Sequence, residues 1–446
     1  MFARIARAII IASVWTATIL NAPGGSIARA GDMPAQQISG RAVRNTHPAW
    51  TLALTDSPGM VGIYRDVAIV ELYGSSRDGH TEVRTEGIDA STGRILWRQK
   101  NASLAFGTIP FLVFRTTVER IDARSGARAW RSAPLCKTRN ATPTKVTALR
   151  DRIYVGCTSG EIFALESNTG RVLSSAYPIK VDGLDSIHSL AFDTLSVSGH
   201  ANVGGDIVTR SAILKAGSLS TVLSLGDDVS YLAYDKGDVV AADRCCRGLR
   251  EDNSPVTISR FSLRTGKRVA SVDLHPYQPS LPPDKSLPGA GTVLLVGSKL
   301  YVCTHSALFL YDLRDLRARP RLLYGNLEGS PAPVIADRYF FLAEKAPAAK
   351  VGLFDAIAAP ARLAWSGSSD WALQPWTPGL GNAVGLRSVN QGQMVLIHFD
   401  DMSLWRINDN CTLQSSNARF ALTYCSAAGP PPMLPSRFQM YEFRWQ

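Results

Sequence analysis

Short runs of apolar residues recur along most of the chain, and their length and period predict β-strands rather than helices. Val67–Tyr73 and Arg152–Cys157 are typical, because each run is mostly apolar and is followed by residues that favour turns. Helical periodicity is weak beyond the N-terminal segment. We therefore expect an all-β protein, with further buried strands at Lys299–Cys303, Arg338–Leu342 and Met394–Phe399.

A turn motif repeats between these strands. Gly87–Trp97 and Arg120–Trp130 keep the whole pattern, while Phe163–Leu173 and Arg260–Ala270 keep the turn without its Trp. An Asp caps its own backbone in such a turn, a Gly can take positive φ, and a Trp ring suits packing between neighbouring sheets. The residues expected to build the repeat are Asp89, Gly93, Trp97, Asp122, Gly126, Trp130, Gly170 and Gly266.

The spacing of the motif predicts a β-propeller, because its anchors recur at about the interval of four-stranded blades. Alternation at Trp50–Leu54 and Tyr441–Trp445 predicts that one terminus completes a blade of the other, which leaves no free sheet edge. We expect a single propeller of seven or eight four-stranded blades, with eight preferred, over residues 49–446. Weaker copies lie at Phe309–Leu313, Leu353–Ala356 and Leu404–Asn408, and a degenerate copy lies near Ile213–Leu223.

The Asp-x-x-Thr-Gly-x-x-x-Trp pattern resembles the repeat of quinoprotein dehydrogenases that use pyrroloquinoline quinone (PQQ). It is also similar to the repeat of non-catalytic relatives such as the outer-membrane assembly scaffold propeller. The resemblance covers roughly residues 50–425 and implies the fold, but the repeat is structural and shared by enzymes and scaffolds. It also implies a comparison for Cys245-Cys246, since quinoprotein alcohol dehydrogenases carry adjacent disulfide-bonded cysteines over the cofactor, although nearer their N-terminus.

The N-terminus has the three-part order of a secretory signal peptide. Arg4 and Arg7 precede an apolar run, Ala8–Leu20, and Ala28-Arg29-Ala30 forms a cleavage site. We expect residues 1–30 to be removed and residues 31–48 to form a flexible N-terminus, with an uncleaved anchor as the alternative. The apolar run is shorter than the ~20 residues of a spanning helix. We therefore expect a periplasmic or secreted protein without a transmembrane span.

Charge and cysteine content refine this picture. Lys and Arg number 48 against 37 Asp and Glu, and the excess is scattered, so we expect a solvated basic surface, with contact to an anionic surface as the alternative. No nucleic-acid partner is expected. All seven Cys are disulfide candidates in an oxidising compartment, and the odd number leaves one thiol free or paired between chains. Local bridges are expected for Cys136 with Cys157 and for Cys411 with Cys425, while Cys245 and Cys246 form either a vicinal pair or a bridge to Cys303.

Catalytic motifs do not stand out in the sequence. The seven His are dispersed, with no H-E-x-x-H, and there is no G-x-S-x-G or P-loop. Carboxylates of the type that binds calcium occur, but no arrangement of them points to a calcium-assisted quinone site, and no metal site is expected. Trp371 and Trp376 lie in a Pro-rich stretch that is a candidate binding loop, with packing between blades as the alternative.

These observations favour an exported, non-enzymatic propeller that acts as a scaffold for an envelope protein or a surface ligand, without a cofactor. The alternatives are a periplasmic oxidoreductase that uses PQQ and calcium, and a glycan-binding propeller. Binding is expected on long loops of the rigid ring. The candidate loops are Tyr177–Ser211, Arg244–Thr257, Pro276–Gly291 and Gly367–Gly381.

Overall fold

The computed structural model describes a series of ranges that all belong to one compact unit, Pro34–Gln446. Outside them lie the expected signal peptide, Cys245, Cys246 and Trp376. The described residues are 44–45, 47–75, 81–105, 109–191, 193–227, 229–235, 237–243, 257–273, 292–296, 299–303, 308–312, 314–315, 318, 320–325, 332–335, 339–343, 350–355, 362–368, 371–373, 383–388, 394–398, 403–407, 411–417, 419–426 and 436–443.

Seven sheets are meanders of four consecutive strands, joined in chain order by antiparallel hydrogen bonds. Most of these strands are short, as the apolar runs predict. They are β3 (Ser57–Tyr64), β4 (Val67–Ser75), β5 (Thr81–Asp89), β6 (Ile95–Lys100); β7 (Ser103–Ala105), β8 (Phe111–Phe114), β9 (Thr117–Ile121), β10 (Arg128–Arg131); β11 (Pro143–Leu149), β12 (Arg152–Cys157), β13 (Ile162–Glu166), β14 (Val172–Ala176); β15 (Gly183–Ala191), β16 (Thr194–Val203), β17 (Asp206–Lys215), β18 (Thr221–Asp227); β19 (Val229–Asp235), β20 (Asp238–Asp243), β21 (Thr257–Ser262), β22 (Lys267–Asp273); β23 (Thr292–Val296), β24 (Lys299–Cys303), β25 (Leu308–Asp312), β26 (Arg321–Tyr324); β27 (Ala332–Ile335), β28 (Tyr339–Ala343), β29 (Lys350–Asp355) and β30 (Arg362–Ser368).

Two further sheets combine the two ends of the chain. One has the order β2-β37-β36-β35, and Trp50 of β2 pairs with Met440 of β37. The other has the order β1-β34-β33-β32-β31, in which β1 lies parallel to β34. The prediction that one terminus completes a blade of the other is thus confirmed. The strands are β1 (Arg44–Asn45), β2 (Trp50–Ala53), β31 (Trp371–Leu373), β32 (Ala383–Ser388), β33 (Met394–His398), β34 (Ser403–Ile407), β35 (Cys411–Ser416), β36 (Phe420–Cys425) and β37 (Arg437–Glu442).

Apolar cores lie between consecutive sheets rather than in one centre. Val70 of β4 shares a core with Phe438 of β37, and Ile69, from the opposite face of β4, packs with Leu112 of β8. The next cores lie between β7–β10 and β11–β14, and between β11–β14 and β15–β18. Sheets stacked face to face in sequence form a β-propeller. The described residues form nine sheets, so the expected blade number of eight is not confirmed.

Three sequence-based expectations differ from the structure. The candidate loop Tyr177–Ser211 is mostly sheet, since β15, β16 and much of β17 run through it. Its many Ser and Gly hide the apolar alternation, and backbone pairing to neighbouring strands supplies the order. Arg44–Asn45, expected to be flexible, forms β1 because β34 offers its backbone as a partner. Trp371 begins β31 instead of lying in a loop, because Trp371–Leu373 pairs with β32.

Candidate protein-binding surface and the docked turns that support it

The Trp of each complete repeat docks on the turn of the next sheet. Trp97 of β6 donates a hydrogen bond from Nε1 to the carbonyl oxygen of Ala123 at 2.7 Å. Its ring lies against Gly126, where an added Cβ would lie 2.5 Å from the Trp97 Cγ. Gly126 has φ +67°, which costs an L side chain energy. Position 126 therefore needs a Gly for two reasons. The turn has a positive φ there, and the Trp97 ring leaves no space for a Cβ.

The same contact, a Trp that bonds a turn carbonyl and covers the turn Gly, joins two other pairs of sheets. We call it the Trp lock. Trp130 donates to Ser167 O at 2.8 Å and covers Gly170. Trp50 donates to Ala90 O at 2.8 Å and covers Gly93. Sequence reasoning placed Trp50 in a terminal strand but missed this role, because Trp50 follows no Asp-x-x-Thr-Gly turn of its own. The N-terminal strand therefore closes the ring with the device that the repeats use internally.

Side-chain caps hold the docked turns in shape. Asp89 Oδ1 accepts bonds from the backbone N–H and hydroxyl groups of Ser91 and Thr92, at 2.6–3.0 Å. The Ser91 hydroxyl bond contributes most to a lowered pKa of Asp89. Asp122 Oδ1 accepts corresponding bonds from the backbone N–H and the hydroxyl of Ser125. The pKa of Asp122 is also lowered, and the bond from the Ser125 backbone N–H contributes most to this. Asp and Gly of the motif thus act as a structural turn, as the sequence predicted.

The lock changes after the third copy of the motif. Ser174 stands where the Trp would be, and Leu219, with φ +58°, replaces the Gly of the next turn. The turn itself persists, since the Leu219 N–H donates to Lys215 O at 2.7 Å. Tyr154 of β12 now supplies the donor, because its hydroxyl bonds Ala216 O at 3.2 Å. The degenerate copy near Ile213–Leu223 is confirmed, with a buried Leu219 side chain in place of a docked ring.

The buried carboxylate of Glu71 connects the sheet β3–β6 to the sheet β7–β10. Glu71 of β4 is 1% exposed, and its Oε2 accepts the Leu104 N–H of β7 at 2.7 Å. Its Oε1 accepts the hydroxyl of Tyr73. Burial raises the pKa of Glu71. The pKa of Tyr73 is raised by burial and, to a smaller extent, by its hydrogen bond to the Glu71 carboxylate. The Glu71 carboxyl therefore positions the short strand β7, although the sequence marks it only as a polar residue within an apolar run.

Exposed apolar side chains concentrate in one part of the described chain. Eight large hydrophobic side chains are exposed among the described residues, and five of the eight lie between residues 172 and 207. The hairpin of β16 and β17 presents two, Val203 at 45% and Ile207 at 60% exposure. Val203 pairs with Asp206 and Ile207 pairs with Asn202, so the two apolar side chains lie on opposite faces of the hairpin. We call Val203–Ile207 the hairpin tip.

The hairpin tip has a defined turn and is open on its outside. Gly204 and Gly205 have φ +62° and +96°, as in the tight two-residue turns that suit twisted strands. A Cβ added at either Gly would meet nothing within 4 Å. Val203 and Asp206 pair across the turn. The tip therefore presents Val203 and Ile207 on a preorganised turn.

The connection that precedes β15 braces the hairpin. Asp182 Oδ2 accepts the Asn202 N–H at 2.7 Å, and Arg210 donates to Lys180 O at 2.8 Å. Arg210 also pairs with Asp227 of β18 at 2.9 Å. These contacts link the hairpin to strands on both of its sides. The tip is consequently fixed to the propeller rather than free to swing.

Two disulfides pin other connections. Cys136–Cys157 ties the segment before β11 to the end of β12, and Cys411–Cys425 joins β35 to β36. Both pairs match the predicted local bridges. Glu161 supports the first by accepting the Lys137 and Thr138 N–H groups, each at 3.2 Å. Cys303 lies in β24 and Gly266 has φ +66° in the turn between β21 and β22.

No group of three or more His, Cys, Asp or Glu side chains in the described ranges is placed to hold a metal ion. The vicinal pair Cys245-Cys246 and Trp376 lie outside them. A search of the described residues for a membrane-spanning helix finds none that is long and apolar enough.

Residues 80–191 match the family described as PQQ_2, outer membrane protein assembly factor BamB. No curated protein matches the chain. Among solved structures, BamB from Moraxella catarrhalis is similar at 14% identity, with 79% of this chain and 97% of that chain covered and a TM-score of 0.40. Quinohemoprotein alcohol dehydrogenase ADHIIG from Pseudomonas putida HK5 is similar at 13% identity, with 89% and 76% covered and a TM-score of 0.43. The C-terminal WD40 domain of Sif2 is similar at 9% identity, with 91% and 100% covered and a TM-score of 0.47. At these scores the structural similarities carry no argument about function.

Proposed function

We propose, from the premise that this chain carries the PQQ-like propeller repeat, that it is a protein-binding scaffold of the cell envelope. The observation that carries the proposal is the braced hairpin tip with Val203 and Ile207 exposed. A partner that surrounds the tip would find one exposed apolar side chain on each face of a defined turn, with polar neighbours around it, as at the anchors of protein interfaces. The family description of residues 80–191, an assembly factor, favours the same class of function.

We further propose that the protein works after export. The sequence order of Arg4, Arg7, Ala8–Leu20 and Ala28-Arg29-Ala30 supports removal of residues 1–30. The two disulfides are consistent with an envelope or secreted protein, because such bonds persist in oxidising compartments. N-terminal sequencing of the protein from the periplasmic fraction tests this step. Gly31 is the expected first residue, and an intact N-terminus would contradict cleavage.

Site-specific photocrosslinking in the envelope tests the binding role. A photoreactive residue at Ile207 is expected to form a discrete adduct with one partner protein. Val269, on β22 and 51% exposed, is the matched control position. The adduct at position 207 is expected to disappear when Val203 is replaced by Asp, since a charge would have to be buried in the contact. Adducts of equal yield at positions 207 and 269, or none at 207, would contradict the proposal.

The scaffold proposal includes no cofactor and no catalysis by this chain. A calorimetric titration with PQQ and calcium distinguishes it from the oxidoreductase alternative. Stoichiometric, tight binding would contradict the scaffold proposal. Glycan binding through Trp371 has no supporting observation among the described residues, where Trp371 begins a paired strand.

A further inference from the structure

A local excess of positive charge lies in the connection between β10 and β11. Arg128–Thr142 contains four basic residues and no acidic one. We call the connecting part, Ser132–Thr142, the basic loop. Its Lys137 and Arg139 are both exposed. The basic loop therefore presents cationic side chains to solvent without a carboxylate of its own.

Arg115 extends this charge from the turn between β8 and β9. The Leu135 N–H donates to Thr116 O at 2.7 Å, so the basic loop passes directly beside that turn, where Arg115 is exposed. Among the described residues, no carboxylate pairs with Arg115, Lys137 or Arg139. The charges of these three side chains are thus available to a ligand.

Contacts at both ends fix the position of the basic loop. The disulfide from Cys136 to Cys157 ties its first half to β12. At its other end, the Thr142 N–H donates to the Thr158 hydroxyl at 3.2 Å, and the Thr158 N–H donates to Thr142 O at 2.9 Å. A loop held in this way loses little conformational freedom when a ligand binds.

A tight turn, Thr138–Ala141, presents Arg139 between these ends. A backbone hydrogen bond of 3.1 Å joins the first and last residues of the turn. Asn140 has φ +64°, a conformation that Asn adopts more readily than most residues. The Glu161 carboxylate accepts the Thr138 N–H and the N–H of the preceding residue, each at 3.2 Å. It therefore bonds the backbone of the loop and not its cationic side chains.

The basic loop and the hairpin tip lie on the same face of the propeller. Gly160, in the turn that bonds the loop, is so close to the next connection that an added Cβ would lie 2.5 Å from Ile179 O. That connection also contains Asp182, whose carboxylate accepts the Asn202 N–H beside the tip. The loop precedes the sheet β11–β14 and the tip belongs to the next sheet. Packed sheets stand about 10 Å apart, so one partner can contact both features.

The charge on this face changes sign between the two features. The hairpin is surrounded by more acidic than basic residues, namely Asp182, Asp185, Asp206 and Asp227 against Lys180 and Arg210. An anionic lipid surface would meet these carboxylates together with the basic loop and would be repelled by them. A protein can instead carry an acidic segment opposite the loop alone. This match of charges favours a protein as the partner.

We propose that Arg115, Lys137 and Arg139 bind an acidic segment of a protein through ion pairs to its Asp or Glu side chains. The inference rests on the proposed scaffold function in one respect, since the acidic segment belongs to the partner that binds the hairpin tip. Exposed charges at the rim of an interface act mainly on the rate of association and on its dependence on salt. The basic loop thus steers the partner, and the hairpin tip anchors it.

Fluorescence anisotropy with a labelled oligoglutamate peptide tests the basic loop in the mature protein. The double variant Lys137→Glu with Arg139→Glu is expected to raise the peptide dissociation constant at least about fivefold at low ionic strength, because two ion pairs become two repulsions. Arg264→Glu with Lys267→Glu is the matched control, since both residues are exposed at the turn between β21 and β22. This control makes the same change in net charge and is expected to have little effect.

Two checks accompany the peptide titration. Arg115→Asn, which suits a positive φ, is expected to weaken binding in the same direction without altering the basic loop. Far-ultraviolet circular dichroism compares the fold of each variant with wild type. Equal losses in the two double variants would overturn the proposal. Co-sedimentation with phosphatidylglycerol vesicles that depends on Lys137 and Arg139, without such dependence for the peptide, would also overturn it.

The photocrosslink from Ile207 separates this inference from the proposed function. Lys137→Glu with Arg139→Glu is expected to lower the adduct yield after brief illumination at least about threefold, because association is slower. The control pair at positions 264 and 267 is expected to leave the yield unchanged. A wild-type adduct whose yield the loop variant does not change would contradict the inference and leave the proposed function intact. No adduct at position 207 in wild type would contradict the proposed function, and the peptide titration would then decide on the basic loop by itself.

Discussion

Substitution of Gly126 measures the strength of one Trp lock directly. In Gly126→Ala the new Cβ would lie 2.5 Å from Trp97 Cγ and 2.7 Å from Cδ2, a separation that forces the ring or the turn to move. The φ of +67° adds a backbone cost of about 1 kcal/mol. Overpacking adds about 1–3 kcal/mol more. The expected loss in the free energy of unfolding is therefore about 2–4 kcal/mol.

Gly266→Ala is the control for the backbone term. Gly266 has φ +66°, its N–H makes the same turn bond to Ser262 O, and the nearest atom to an added Cβ is Val222 O at 3.7 Å. This variant keeps the strained conformation and lacks the ring, so a loss of about 1 kcal/mol is expected. The difference between the two variants isolates the contact with Trp97.

Urea unfolding followed by circular dichroism and Trp fluorescence compares the variants under identical conditions. Trp97→Phe, which removes the 2.7 Å bond to Ala123 O and part of the ring, completes a double-mutant cycle with Gly126→Ala. A coupling of about 1 kcal/mol or more is expected, since the smaller ring relieves part of the overlap. Equal losses in Gly126→Ala and Gly266→Ala, or strictly additive effects in the cycle, would refute the lock as a source of stability.

Three further predictions concern other contacts. Because the pKa of Glu71 is raised in the folded state, its contribution to stability is present at low pH and is lost as pH rises through the folded-state pKa. The melting temperature of Glu71→Gln relative to wild type should therefore increase from about pH 4.3 upwards, and a difference that is flat or falls with pH would contradict this. Tyr154→Phe removes the hydroxyl bond to Ala216 O and should lower the free energy of unfolding by about 1 kcal/mol; a neutral effect in urea unfolding would show that Tyr154 does not replace the Trp donor. Replacement of Cys136 and Cys157 together by Ser should cost about 3 kcal/mol, and peptide mapping without reduction should show the linked pair in wild type and not in the variant.

Features that depend on near neighbours along the chain could be predicted from the residues alone. The turn at Asp89–Gly93 is recognisable because its bonds join residues two or three positions apart. The bridge from Cys411 to Cys425 is recognisable because one hairpin separates the two residues. The fold class followed from the repetition of these local units, since each strand and turn is specified by a few adjacent residues.

Contacts between segments far apart in the chain could be identified only from the folded structure. Trp50 bonds Ala90 across 40 positions, and Tyr154 bonds Ala216 across 62, and neither partner is marked by a local pattern. The hairpin of β16 and β17 was expected to be a loop because its apolar alternation is weak. Its ten-residue strands are held by backbone pairing, which depends little on side-chain identity. The hairpin tip could therefore be identified only from the folded structure, because the packing of neighbouring sheets determines which apolar side chains stay exposed.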